Sequence, residues 1–237
     1  MPTFSSFNTY GSEAKNIGQS HVAVWLGVVS PRPVGGVLNT DFLKKGILIP
    51  AGTPVNLKEK VITPLVAFKV LAYSAAGESD TYDEVTIAPN TDFGVEILPA
   101  AEDMLQKLGD TFATTAKAAE VHSVTALTGD DAGKYKIEVA KSANLGSLTA
   151  GNYLVFSASA TAGSSKAMAN QPNGYLYNDI YLGNLEVDSD AITAKTIAAT
   201  GAVVDFHGEG ILVDLTPAAP FKAAMKAAVP SVIQVEV

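Results

Sequence analysis

A chain of 237 residues, 47% of them hydrophobic and 17% charged, carries enough apolar side chains for a substantial core, which excludes a disordered polypeptide. Its net charge of -8 argues against nucleic acid as a partner, because phosphate binding needs Lys/Arg clusters. Cysteine is absent, so disulfides and thiolate metal sites are excluded and a reducing cell interior is the expected place of synthesis.

The N-terminal residues, Met1 to Tyr10, lack the basic-then-apolar order of a secretory signal. No apolar run approaches the roughly 20 residues needed to span a bilayer, so a soluble protein made in the cytoplasm, with no membrane partner, is expected. Residues 1–20 are polar with spaced aromatics, Phe4, Phe7 and Tyr10. A segment this poor in apolar surface does not offset its own ordering entropy. It reads either as a frayed end or as an arm whose aromatics anchor on a neighbouring subunit.

His21 to Val29, which includes Trp25, alternates with period two and predicts the first strand, ended by the breakers of Ser30 to Gly36. Gly46-Ile-Leu-Ile-Pro-Ala-Gly-Thr-Pro-Val55 then reads as a strand, a rigid corner and a second edge. Pro50 and Pro54 each lack a backbone donor, and Gly52 is free to take a positive φ. A similar run, Gly146-Ser-Leu-Thr-Ala-Gly-Asn-Tyr-Leu-Val155, suggests a second corner of the same kind. Lys60 to Tyr73 predicts a long β run broken at Pro64, with Val66, Phe68 and Val70 on one face.

Tyr82 to Ala88 predicts another strand, and Phe93 to Leu98 a short one. Pro99 to Leu108 carries helix signals: a proline in the first turn, Glu102 and Asp103 early, Lys107 late and Gly109 as the stop. Ala- and Thr-rich composition between about 110 and 120 marks a joint. Beyond it, residues 120–127 and 134–140 alternate around a Gly/Asp turn and predict a hairpin. Residues 152–158 predict a strand, and Gly163 to Gly174 a loop, after which Tyr175, Tyr177 and Tyr181 gather. Near the end, 192–199, 202–206 and 211–215 read as strands. Thr216 and Pro217 open a second helix whose stripe is Phe221, Met225 and Val229, and Ser231 to Val237 closes the chain as a strand.

These elements predict a mainly β (α+β) fold, with antiparallel sandwich or barrel-like sheets and two short helices. Four portions are expected: an arm over 1–20, a first β-rich portion over 21–110, a β module over 111–190 that either projects from it or packs with it, and a β-α-β segment over 191–237 that completes the fold.

Chemistry finds little footing. Asp205, His207 and Glu209 alternate on one strand, and imidazole with two carboxylates is a reasonable metal set. Gly208 and Gly210 point instead to a bulge or close backbone contact on a solvated strand face, so no metal is expected. The acidic loops at 129–133 and 188–190 lack the ligand offsets of a calcium loop. There is no Gly-x-Ser-x-Gly elbow, no Walker loop and no dinucleotide fingerprint. Neither a catalytic residue nor a cofactor is assigned.

The Gly46–Val55 corner, the run Ala202-Val-Val-Asp-Phe-His-Gly-Glu-Gly-Ile-Leu-Val-Asp214 and Phe221-Lys-Ala-Ala-Met-Lys-Ala-Ala-Val-Pro230 together resemble the head-decoration and head-fibre proteins of tailed bacteriophages, including those of gut Bacteroidales phages of the crAss-like group. The matching positions are Pro50, Ala51, Gly52 and Thr53, then Val203 to Gly210. The resemblance covers about the first 75 and last 45 residues. It implies a non-enzymatic virion protein, made in the host cytoplasm, that binds the major capsid protein on the outer capsid surface and stabilises the shell or displays a spike, with the β-rich portion over 21–110 capsid-associated. A homo-oligomer, trimer or dimer, is implied as well. Its expected contacts are Phe4, Phe7, Tyr10, Trp25, Pro50, Gly52, Thr53, Tyr175, Tyr177 and Tyr181. A carbohydrate-binding β module, with Tyr175, Tyr177 and Tyr181 stacked on a host-surface glycan beside Asn178 and Asp179, is the alternative. A hydrolase built on His207 is a third.

Overall fold

The computed structural model describes residues 25–28, 36–38, 48–59, 61–109, 112, 117–141, 145, 148–157, 171–176, 179–181, 197–199, 203–204, 210–213 and 217–235. Its strands are β1 (Trp25–Val28), β2 (Gly36–Leu38), β3 (Leu48–Ile49), β4 (Pro54–Lys58), β5 (Val61–Pro64), β6 (Ala67–Ser74), β7 (Tyr82–Ile87) and β8 (Met104–Lys107). They continue with β9 (Ala119–Ala126), β10 (Tyr135–Ala140), β11 (Tyr153–Phe156), β12 (Gly174–Leu176), β13 (Ile180–Tyr181), β14 (Ile197–Ala199), β15 (Val203–Val204), β16 (Gly210–Val213) and β17 (Val232–Val235). One short α-helix, α1 (Lys222–Ala228), precedes the last of them. The mainly β class with antiparallel, barrel-like sheets is therefore the architecture found.

Six strands close a barrel in the order β10-β7-β6-β11-β8-β9, with every pair antiparallel. Closure removes the unpaired edges that an open sheet of these short strands would expose. Period-two alternation fills the interior. Phe68, Val70, Val85, Ile87, Leu105, Val121, Ile137, Val139 and Leu154 point inward and are buried. Phe68 meets Phe156 edge-on with ring centroids 5.4 Å apart, the arrangement aromatic quadrupoles favour. The composition change between about 110 and 120 falls inside this barrel, between β8 and β9, so strands from both sides of that expected joint share one core.

A second sheet, ordered β14-β2-β5-β4-β12-β15, abuts the barrel, and Val55, Ile62 and Leu176 carry the barrel core into it. Chain passage between the two occurs at Pro64, the break expected from sequence: β5 ends there, and Leu65 N donates to Pro54 O at 2.9 Å before β6 begins. Strands β14 and β15, adjacent in sequence, lie at opposite ends of this sheet. Segments β16, α1 and β17 form a parallel βαβ unit, and β1 pairs antiparallel with β16.

Two helix expectations need correction. Residues 99–108 are not helical: Ala100 to Asp103 form a turn, and Met104–Lys107 are β8. Glu102 takes φ +74°, which no α-helix permits, while Asp103 Oδ2 accepts the Ala100 N–H at 2.6 Å. The acids that resemble a helix start shape a turn, and barrel pairing on both sides of β8 overrides the local helix signals. The C-terminal helix begins at Lys222, not Pro217. Pro220, inside the 3-10 turn Ala219–Phe221, has no N–H to give the first i→i−4 bond of a helix opened at Pro217. Its expected stripe is correct: Phe221, Met225 and Val229 are all buried against the outer face of the barrel at Ala67 and Val155. The short strand expected over 93–98 reduces to a single bridge between Asn90 and Ile97.

The Glu102→Gly variant distinguishes turn from helix. Glycine relieves the left-handed backbone at little entropic cost, so stability should hold or rise by up to about 1 kcal/mol in urea denaturation, whereas a helix interior would lose about 1 kcal/mol. Asp92 supplies a second check. Burial raises its carboxyl above the usual range, opposed by the Asn90 hydrogen bond. With the folded value above the unfolded one, its contribution is complete below the ordinary carboxylate range and falls as pH rises through the folded value. Asp92→Asn should therefore gain stability relative to the native chain between about pH 3 and pH 7 in a melting series.

Candidate functional site

The Pro50–Thr53 corner is a β-turn. Thr53 N donates to Pro50 O at 3.3 Å, Gly52 takes φ +82° and Thr53 Oγ1 donates to the same Pro50 carbonyl at 2.6 Å. Thr149 to Asn152 repeats it, with Asn152 N on Thr149 O at 3.1 Å and Gly151 at φ +92°. Each Ala-Gly pair thus places glycine where the turn needs a positive φ and launches a strand, β4 in one case and β11 in the other. The first turn is also bolted to its surroundings. Gly52 N donates to Leu176 O at 2.7 Å, Leu176 N to Thr53 O at 2.9 Å and Ala51 N to Asp179 Oδ1 at 2.7 Å.

This placement corrects part of the expected contact set. Thr53 is wholly inaccessible, Gly52 is buried and Tyr175 is 1% exposed among Leu65, Phe221 and Met225. Those three are interior positions of a single chain and present no surface to a partner or a sugar ring. The cause is β12, which inserts between β4 and β15 and carries Tyr175 inward with it. Pro50 is half-buried. Trp25 opens β1 opposite Leu212, and Tyr181 closes β13 opposite Leu48. Phe4, Phe7, Tyr10 and Tyr177 lie outside the described residues, as do Asp205, His207 and Glu209.

Two surface features remain. The first is β17. It pairs only with β16 among the described strands, and it carries Ile233, a large hydrophobic residue 60% exposed. Val232, its inward neighbour, is buried against the helix side.

The second is a recess of about 520 Å³ between the loop that joins β6 to β7 and the outer face of β7 and β10, lined in part by Ser74, Ser79, Asp80, Tyr82, Glu84 and Glu138. Asp83, buried, braces that loop: it accepts the Ala76 N–H at 2.8 Å and the Tyr73 hydroxyl at 3.1 Å. Burial first, then the Asp83 charge, pushes the Tyr73 phenol above its usual range. Gly77 N donates to Asp80 Oδ2 at 3.0 Å, and Lys141 Nζ donates to Gly77 O at 2.5 Å. On the barrel wall, Glu84 and Glu138 stand directly opposite each other, with Lys136 Nζ at 2.8 and 3.7 Å from them.

Beside the acids, the Tyr82 ring is stacked on His122, centroids 4.1 Å apart and planes 9° from parallel. Their strands, β7 and β9, are separated by β10. The small Ala140 opposite Tyr82, and a bulge in β9 at His122, let the two rings meet above it. Sequence reasoning took Tyr82 as a strand residue and left His122 inside the hairpin strand expected over 120–127, without joining them. Period two would place Tyr82 and Glu84 on one face, but the pairing of β7 with β10 and of β10 with β9 is what assembles the row.

Among the described residues no group of three His, Cys, Asp or Glu is arranged to hold a metal, and no helix is long and apolar enough to cross a membrane. Comparison of the chain with family models, with curated proteins and with solved structures gives no match in any of the three.

The Tyr73→Phe variant tests the loop brace. It leaves Asp83 with one donor fewer, and a lost hydrogen bond to a charged group predicts a cost of about 1.5–3 kcal/mol. Urea denaturation should show that loss, and the Ala76 amide should exchange faster with solvent.

Proposed function

We propose that this chain acts by shape and contact, as a rigid β body fastened to the outer surface of a tailed-phage capsid, where it stabilises the shell or carries a spike. The observation that carries the reading is the β17 edge. An exposed isoleucine on a strand whose second side has no partner among the described strands is a ready attachment point, because a partner strand gains both ladder hydrogen bonds and apolar burial there. The body behind it suits the role. The barrel core continues into the second sheet, and the terminal strand is tied to that body through α1 and its buried stripe. The likeness of the Pro50–Thr53 corner and the C-terminal segments to head-decoration and head-fibre proteins supplies the capsid as partner. The arm at 1–20, donated between copies of a symmetric trimer or dimer, belongs to the same reading. A virion location on the outer capsid follows from it.

Binding of the purified chain to intact phage heads of the crAss-like group, measured by co-sedimentation, tests the proposal. The native chain should pellet with the heads. Burying Ile233 contributes about 1.5–3 kcal/mol, so Ile233→Asp should weaken the association by at least about tenfold while leaving the melting temperature close to native. Failure of the native chain to pellet, or full binding by the variant, would remove the capsid or the β17 edge from the account.

A further inference from the structure

We propose that the recess beside the barrel wall binds one ring of a neutral or amino saccharide. Its volume, about 520 Å³, lies inside the range of small-molecule sites, about 300–1,000 Å³. What distinguishes it from a solvated dent is the combination of a braced wall, a clamped aromatic ring and an excess of hydrogen-bond acceptors.

The wall is preformed. Its loop is held from three sides, by Asp83 on Ala76, by Asp80 on Gly77 and by Lys141 on the Gly77 carbonyl. Tyr82 lines the recess while His122 covers one face of its ring. A ligand therefore meets the other face or the edge of a ring whose orientation is already set, and the entropy of fixing it is not lost on binding. Aromatic faces of this kind pack against the C–H side of a pyranose, an apolar surface ringed by hydroxyls.

Those hydroxyls need acceptors, and Asp80, Glu84 and Glu138 supply them. Each carboxylate has about four lone-pair positions. The Gly77 N–H occupies one on Asp80, Lys136 those nearest on Glu84 and Glu138, and the Ser123 hydroxyl one more on Glu138 at 2.9 Å. Ser74 and Ser79 add groups that donate and accept. Three acids with no basic side chain among the lining residues favour a ligand that donates hydrogen bonds or carries an amine, and repel uronic and sialic acids. This site differs from the one that Tyr175, Tyr177 and Tyr181 suggested, since Tyr175 is core. It stands independently of attachment to a capsid.

The test is a ¹H–¹⁵N titration of the full chain with glucose, galactose, mannose, glucosamine and glucuronate, alongside Tyr82→Ala, Tyr82→Phe and Glu138→Gln. The expected result is saturable shifts clustered at 79–84, 122 and 138 for at least one of the first four sugars and none for glucuronate. Tyr82→Ala should bind about tenfold more weakly and Tyr82→Phe within about twofold of native. Glu138→Gln keeps the ring and the barrel interior intact, and should weaken binding about fivefold; it carries the test if Tyr82→Ala fails to fold. Absence of saturable shifts with all four sugars, shifts scattered away from the recess, equal binding of glucuronate, or unchanged affinity in both Tyr82→Ala and Glu138→Gln would overturn the proposal.

Discussion

Closure of the barrel through β8 is the constraint on which the rest of the structure depends. Met104–Lys107 is four residues long, yet it joins β9 on one side to β11 on the other and places Leu105 in the centre of the core. Without it the remaining five strands form an open sheet with two exposed edges and an apolar face that nothing covers. Pairing on both sides satisfies the backbone of β8 and buries Met104, Leu105 and Gln106 at once. That sum exceeds the few tenths of a kcal/mol per residue by which helix propensity favours the other conformation.

Around that closed unit the chain builds outward by sharing residues between layers. Ala67 and Val155, paired across β6 and β11, face away from the barrel interior and form the floor on which Phe221, Met225 and Val229 pack. Tyr175 joins the same cluster from β12, and its neighbour Leu176 joins the barrel core, so one three-residue strand contributes to both. Asn173 completes the seam: its side chain accepts from Leu57 N at 2.7 Å and donates to Leu57 O at 2.8 Å, replacing ladder bonds where β12 has run out. The Pro50–Thr53 turn sits at this seam, which is why its donors all find partners inside the molecule.

A body organised this way leaves its distinctive surface chemistry on the outside of strands, where alternation aims every second residue. Ile233 and Tyr82 reach the surface by the same period-two rule on different sheets, and a bulge in β9 brings His122 to Tyr82. The proposed attachment edge and the proposed ligand recess lie on different sheets, β17 in the three-stranded sheet and the recess on the barrel.

Residue order alone determined the strands whose patterns are strong: the run broken at Pro64, the hairpin of β9 and β10, the stripe of Phe221, Met225 and Val229, and the pair of Ala-Gly turns. These are legible because alternation, breaker residues and the backbone freedom of glycine act within a few positions of one another. The tertiary structure decided what depends on partners far away in the chain. It made Met104–Lys107 a strand, since two neighbours bid for it; it sank Gly52, Thr53 and Tyr175 into the interior, since β12 inserts beside β4; and it brought Tyr82 to His122 across an intervening strand. Each outcome rests on long-range pairing, whose energy is collected only when distant segments meet, and no local pattern encodes which segments those will be.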